Sequence, residues 1–191
     1  MKKVYFVTTN KQKFQEVSDV LKDYPIELEH LNLEYEENHD SSMEEIAKGA
    51  AKKLAEELRK AVIVDDTGLF FEAFPGFPGA LPKFVFKSLG YRGILKLIEG
   101  ENRRAYFKTV VGFCEPGKEP LLFEGEMYGQ ITEEVYGLEK DEDAMPYNRI
   151  FIPDGETRPI VDTTLQERNK FLQRAKAFIK FGEWIKHHDR A

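Results

Sequence analysis

Asp65-Asp66-Thr67-Gly68 places two adjacent carboxylates directly after a short apolar run, Ala61–Val64. The carboxyl end of a strand is where open α/β sheets collect ligands. Hard carboxylate oxygens suit Mg2+, which keeps several waters and bridges phosphate oxygens. A carboxylate beside such a water can orient it or take its proton. The same four residues also suit a strand-end turn in which Asp66 caps the next segment. Thr8-Thr9-Asn10-Lys11-Gln12-Lys13 is the second chemical stretch. It leads from an apolar run into a helical pattern, and a helix N-terminus with free N–H groups favours an anion. Asn10 offers amide donors and Lys13, one turn in, a compact positive charge. An ordinary capped helix with a solvated lysine would look the same.

Glu34-Tyr35-Glu36-Glu37 could add a metal ligand from an acidic loop, or be a solvated charge run. Arg168-Asn169-Lys170 and Gln173-Arg174 could meet phosphates or a base edge, or form the surface of an amphipathic helix. The remaining candidates carry little. His30 and His39 have no partner at metal-ligand spacing, and His187 and His188 lie at the C-terminus. No serine or cysteine sits in a nucleophile motif, which argues against a covalent mechanism.

The elements that must position these groups can be read from periodicity. Val4–Thr8 reads as a buried first strand, followed by a helix with Phe14, Val17, Val20 and Leu21 on one face and Thr9 or Asn10 as its N-cap. Ile26–Leu33 reads as a second strand. Ser42-x-x-Glu45 is a capping box for a helix carrying Met43, Ile46, Ala47, Ala50, Leu54 and Leu58. Ala61–Val64 is a buried strand, and Phe74–Gly79 is a turn-rich loop. Ala105–Cys114 and Leu121–Thr132 read as antiparallel partners across Pro116-Gly117. Ile150–Ile152 is a short strand. Thr164-x-x-Glu167 caps a last helix running to about Ile185. Strand, turn, helix at the start indicates an α/β sheet.

Composition bounds the rest. The 191 residues indicate one domain, and the net charge of −6 argues against binding nucleic-acid polymer. With 41% hydrophobic and 13% aromatic residues the chain is not disordered. A single cysteine, Cys114, excludes an internal disulfide. The apolar runs fall short of a membrane span, and MKKVYFVTTN lacks a signal peptide's features, so a cytoplasmic setting is expected.

TTNKQK at 8–13, VDDTGLFF at 64–71, GFPGALPKF at 76–84, IFIPDG at 150–155 and QERNKFLQRAKAF at 166–178, in this order, resemble the inosine triphosphate pyrophosphatase family. Its members are metal-dependent enzymes that hydrolyse deaminated purine triphosphates to the monophosphate and pyrophosphate. The resemblance implies a single domain over 1–191, an elongated two-lobed α/β fold with a mixed, twisted central sheet flanked by helices, and a cleft between the lobes. It implies that Asn10 and Lys13, with Thr8 and Thr67 beside the acids, hold the triphosphate. It makes Asp66 the catalytic or metal-binding carboxylate with Asp65 beside it, and puts the loop metal ligand at Glu36 or Glu37. Lys48 matches a phosphate-side lysine, and Arg168 stands where the family has a substrate-binding lysine. A homodimer is implied as well.

The chain departs from the family in its base-reading half. Where members read F-G-Y/W-D-P, it has Met145-Pro146-Tyr147-Asn148-Arg149, and the S-H-R triplet is Leu172-Gln173-Arg174. Asn148 donates and accepts where an aspartate only accepts. A site rebuilt this way rejects bases that leave its polar groups unpaired. The expectation is therefore a Mg2+-dependent nucleoside triphosphate pyrophosphatase with altered base preference. Tyr147, Asn148, Gln173 and Arg174 are placed at the base, and Lys13, Lys48 and Arg168 offset charge on the leaving pyrophosphate. The rivals are a nucleotide-binding regulator without turnover and a pyrophosphatase for modified pyrimidine nucleotides.

Overall fold

The computed structural model describes residues 1–35, 41–140 and 144–188. Its centre is a mixed sheet of strand order β2-β1-β3-β5-β6-β7 among the described residues. β1 (Lys2–Val7) is parallel to β2 (Ile26–Leu31), with Lys2 opposite Ile26 and Val7 opposite Leu31. It is also parallel to β3 (Val62–Phe71) at Tyr5–Val62 and Phe6–Ile63. Beyond β3 the sheet turns antiparallel. β5 (Arg104–Cys114) pairs with β3 along its whole length, then β6 (Leu121–Ile131) and β7 (Phe151–Pro153) follow. β4 (Pro78–Gly79) pairs with the far end of β3. The β5–β6 hairpin closes at Glu115–Lys118, with Pro116 at the second position and Gly117 at φ +73° in the third, as a type II turn requires.

The parallel half follows from the helices that connect it. α1 (Lys11–Leu21) returns from β1 to β2, and α2 (Met43–Leu58) returns from β2 to β3. Asn10 caps α1 by accepting from the backbone of Gln12 (2.9 Å) and Lys13 (3.2 Å). Ser42 and Glu45 close the expected capping box on α2, and Thr164 and Glu167 do the same for α4 (Leu165–Phe171). α1 and α5 (Gln173–His188) cover one face of the sheet. There Phe6, Ile63, Val111 and Phe113 meet Val17, Phe178 and Phe181. α2 covers the other face, where Val62, Val64 and Val110 meet Ala47, Ala51 and Leu54. Alternation along β3 therefore assigns odd-numbered residues to the α1/α5 face and even-numbered ones to the α2 face. No described helix is long and apolar enough to cross a membrane.

Three expectations are corrected. β3 does not stop at Val64. It runs through the acids to Phe71, because β5 offers a partner at every position, with Asp65 opposite Val111 and Asp66 opposite Val110. Asp66 is thus a mid-strand residue and not a cap. The C-terminal helix is two helices, broken at Leu172, whose ψ of 135° is extended. The break is tertiary in origin: Leu172 is buried against the cluster that includes Leu69, Phe107 and Tyr147. The third is a helix absent from the sequence reading, α3 (Pro82–Leu97), which starts at a proline and is interrupted at Gly90 (φ +61°, ψ −176°). Short boundary shifts accompany these, such as β2 ending at Leu31.

α5 approaches the sheet closely because β6 has no side chain at Gly125. A Cβ there would sit 2.1 Å from the carbonyl oxygen of Gln173 and 2.8 Å from the amide nitrogen of Ala177. Both obstacles are backbone, so α5 as a whole must yield. Gly125→Ala is expected to cost about 1–3 kcal/mol, lowering the melting temperature. A melting temperature equal to that of the parent would show that α5 shifts without penalty.

Candidate active site

Odd and even positions of β3 open onto one hollow of about 1080 Å3. Its walls are the β1–α1 junction (Thr8–Lys13, with Glu16 a turn later), Asp65–Thr67, the start of α3, residues 145–148, and Leu172–Arg174 at the helix break. The broken helix matters here, because it turns Gln173 and Arg174 into the hollow.

Asp65 lies at the centre of a buried ionic network. Its Oδ1 accepts from Lys13 Nζ (3.0 Å) and its Oδ2 from Arg174 Nε (2.9 Å). The guanidinium of Arg174 donates again to Glu16 Oε2 (2.5 Å) and reaches Thr67 Oγ1 at 3.4 Å. Thr67 Oγ1 and Thr109 Oγ1 share a hydrogen bond of 2.8 Å across β3 and β5. Burial pushes the Asp65 carboxyl up, but the charges and hydrogen bonds of Lys13 and Arg174 outweigh it, so its pKa falls below the ordinary carboxylate value. Burial works the other way on the Arg174 guanidinium, and Asp65 and Glu16 overcome it to keep the charge. Asp66, one residue on, points to the α2 face and is 7% exposed. The two neighbouring carboxylates are thus in different environments, and one of them is committed to cations through both oxygens.

The residues expected at the phosphates meet around the start of α1. Thr8 Oγ1 accepts from the Asn10 amide (3.2 Å), while the Thr8 carbonyl accepts from His30 Nε2 (2.7 Å). Asn10 Oδ1 is the helix cap, and Asn10 Nδ2 donates to the Ala144 carbonyl (3.3 Å), which ties this turn to the 145–148 wall. Tyr147 is buried in an aromatic group with Phe86 and Phe107, and its hydroxyl donates to the Pro82 carbonyl (2.9 Å). Burial also pushes the Tyr147 phenol up, so it stays protonated. Tyr147 thereby ties residues 145–148 to the start of α3 while lining the hollow. Asn148 and Met145 line the same wall.

The expected site residues divide as follows. Thr8, Asn10, Lys13, Asp65, Asp66, Thr67, Tyr147, Asn148, Gln173 and Arg174 all line the hollow. Lys48 does not; it is exposed on α2. Arg168 does not either. It is buried on α4, with Nε donating to Thr163 Oγ1 (3.4 Å) and Nη1 4.0 Å from Glu16. Glu36 and Glu37 lie outside the described residues. Among the charged lining residues, Glu16, Lys83 and Lys87 had no role in the sequence reading. Glu16 follows Lys13 by three residues and Lys87 follows Lys83 by four, so helical spacing carries a signal for each pair.

A divalent ion would find its oxygen donor at Asp66, because each oxygen of Asp65 already faces a cation that would repel it. Among the described residues no group of three acidic, histidine or cysteine side chains could hold a metal by itself. One carboxylate on a hollow wide enough for phosphates and water nonetheless fits Mg2+, which needs few protein ligands.

The Ham1 family model matches residues 4–184. The chain is 46% identical over 187 residues to the dITP/XTP pyrophosphatase of Methanopyrus kandleri, covering 97% of each. It is 40% identical over 187 residues to the dITP/XTP pyrophosphatase of Saccharolobus solfataricus, covering 97% of this chain and 95% of that one. Among solved structures, a HAM1 protein from Coxiella burnetii superposes with a TM-score of 0.79 at 22% identity, over 98% of this chain and all of the other. That likeness is one of fold.

Proposed function

The chain belongs to the Ham1 family, and on that footing we propose that it hydrolyses a nucleoside triphosphate to the monophosphate and pyrophosphate. The observation that carries the reading is the meeting, in one hollow, of Asp66 with Lys13 and the capped N-terminus of α1. An acid for water and a divalent ion stands with a cation and helix dipole for a polyphosphate.

In the reaction, water attacks the α-phosphorus and the bond from that phosphorus to the bridging oxygen of the pyrophosphate breaks. Asp66 takes the proton of the attacking water. Lys13 donates one of its three N–H bonds to Asp65, which leaves two for phosphate oxygens. Lys83 and Lys87 bring further positive charge from the α3 wall. Arg168 and Lys48 are left out of this contact by their positions. A bound Mg2+, held by Asp66 and by Glu36 or Glu37, would neutralise phosphate charge and lower the pKa of its water. Release of pyrophosphate from a panel of standard and deaminated triphosphates with Mg2+ tests the reading. Binding without release from any of them would assign a regulator instead.

Base preference falls to the wall formed by Gln173, Asn148 and Met145. Gln173 is 5% exposed, and its Oε1 is buried with no hydrogen-bond partner among the described residues. A buried acceptor left unpaired costs about 1–3 kcal/mol, which a base edge bearing an N–H can recover. Relatives named for dITP and XTP carry the chemistry; this amide would retune the preference. Gln173→Met keeps the shape and removes the acceptor. It is expected to lower kcat/KM about tenfold for the preferred base and to flatten the differences across the panel. A loss of equal size for every base would remove Gln173 from base reading.

A further inference from the structure

We propose that Asp65 is a positioning residue: a buried carboxylate that holds the Lys13 ammonium and the Arg174 guanidinium in fixed places at the hollow, and neither binds the metal nor accepts the proton. The proposal rests on the polyphosphate reading above and deepens it.

Three observations support it. The side chain of Asp65 is 1% exposed, and each of its oxygens is within hydrogen-bond distance of a different cation. Those cations come from different elements, Lys13 from α1 and Arg174 from the first turn of α5 just past the break. Asp65 also faces the α1/α5 side of β3, while Asp66 faces α2. A lysine has a long, flexible stem and gains little fixed geometry on its own. Bound to Asp65, its ammonium sits where a phosphate finds it, without first ordering four methylenes.

Calorimetric titration with inorganic pyrophosphate, at several Mg2+ concentrations, tests this without any need for turnover. Asp65→Asn keeps the shape but presents an NH2 group to one of the two cations. Pyrophosphate affinity is expected to fall about tenfold, with the Mg2+ dependence unchanged. Asp65→Glu, which keeps the charge, should recover part of the loss. In a Lys13→Ala background, Asp65→Asn should add less than about a twofold further loss, because the effect runs through Lys13. Unchanged affinity, a shifted Mg2+ dependence, or fully additive losses would each overturn the proposal. If Asp65→Asn does not fold, Asp65→Glu decides alone: a loss of a few-fold with the Mg2+ dependence kept supports positioning, and an unaltered affinity or a moved Mg2+ dependence overturns it. Parent protein that binds neither pyrophosphate nor any triphosphate would overturn the polyphosphate reading itself, an outcome distinct from every variant result.

Discussion

Asp66→Asn is expected to lower kcat for pyrophosphate release by about a thousandfold, while the fold survives. The asparagine is nearly the same size, and the mid-strand pairing of position 66 with Val110 involves only the backbone. What the substitution removes is chemical. An amide cannot take a proton from water, and it brings no negative charge to a divalent ion. The contrast with position 65 sharpens the expectation. Asp65→Asn acts through Lys13 and should appear mainly as weaker binding of the phosphate chain, whereas Asp66→Asn should appear mainly in kcat. The measurement is steady-state pyrophosphate release with the best triphosphate of the panel, beside a melting curve for each variant. More than a tenth of the parent turnover in Asp66→Asn would place the base elsewhere. The order of the two variants in kcat is equally informative: a larger loss at position 65 than at 66 would exchange their roles.

The two carboxylates also show where the sequence was readable and where it was not. Polar Asp-Asp-Thr-Gly after Ala61–Val64 reads as the end of a strand, since little in its own composition favours β structure. The partner strand β5 carries Thr109, Val110 and Val111 opposite these residues and extends the ladder through them. Only then does the two-residue period separate Asp65 from Asp66. Local signals succeeded where the physics is local. The boxes Ser42/Glu45 and Thr164/Glu167 start their helices as expected, and Pro116-Gly117 turns the hairpin. They failed where a helix depends on remote packing. α3 buries only Val85 and Ile94 of its own sixteen residues, and Gly90 interrupts its period, so little amphipathic pattern marks it. The break at Leu172 has no proline or glycine to announce it. It is set by the cluster that takes in the leucine side chain, and it is what delivers Gln173 and Arg174 to the site.

Arg174→Met should be the most destabilising of the site substitutions, by about 3–5 kcal/mol, or about 10 °C in melting temperature for a chain of this size. Arg174 is 4% exposed and joins Asp65 to Glu16, itself 4% exposed. Methionine fills much of the space but leaves two buried carboxylates, with Lys13 near one and Arg168 at 4.0 Å from the other among the described residues. The loss is therefore an uncompensated-charge effect, and it carries a pH signature. In the parent, the pKa of Asp65 lies below its unfolded value because the cations outweigh burial. Ionised Asp65 thus contributes stability that is fully present above the unfolded pKa of about 4 and is lost as pH falls through the lower folded pKa. Without Arg174, burial is opposed by one cation fewer, and the Asp65 carboxyl moves up. Its protonation then relieves the variant at a pH where the parent is still ionised. The gap in melting temperature between parent and Arg174→Met should accordingly be widest near neutral pH and narrow on going from pH 6 toward pH 3. A gap that stays constant with pH would mean that Arg174 acts by packing alone, and a cost below about 1 kcal/mol would place the network at the level of a solvated surface pair.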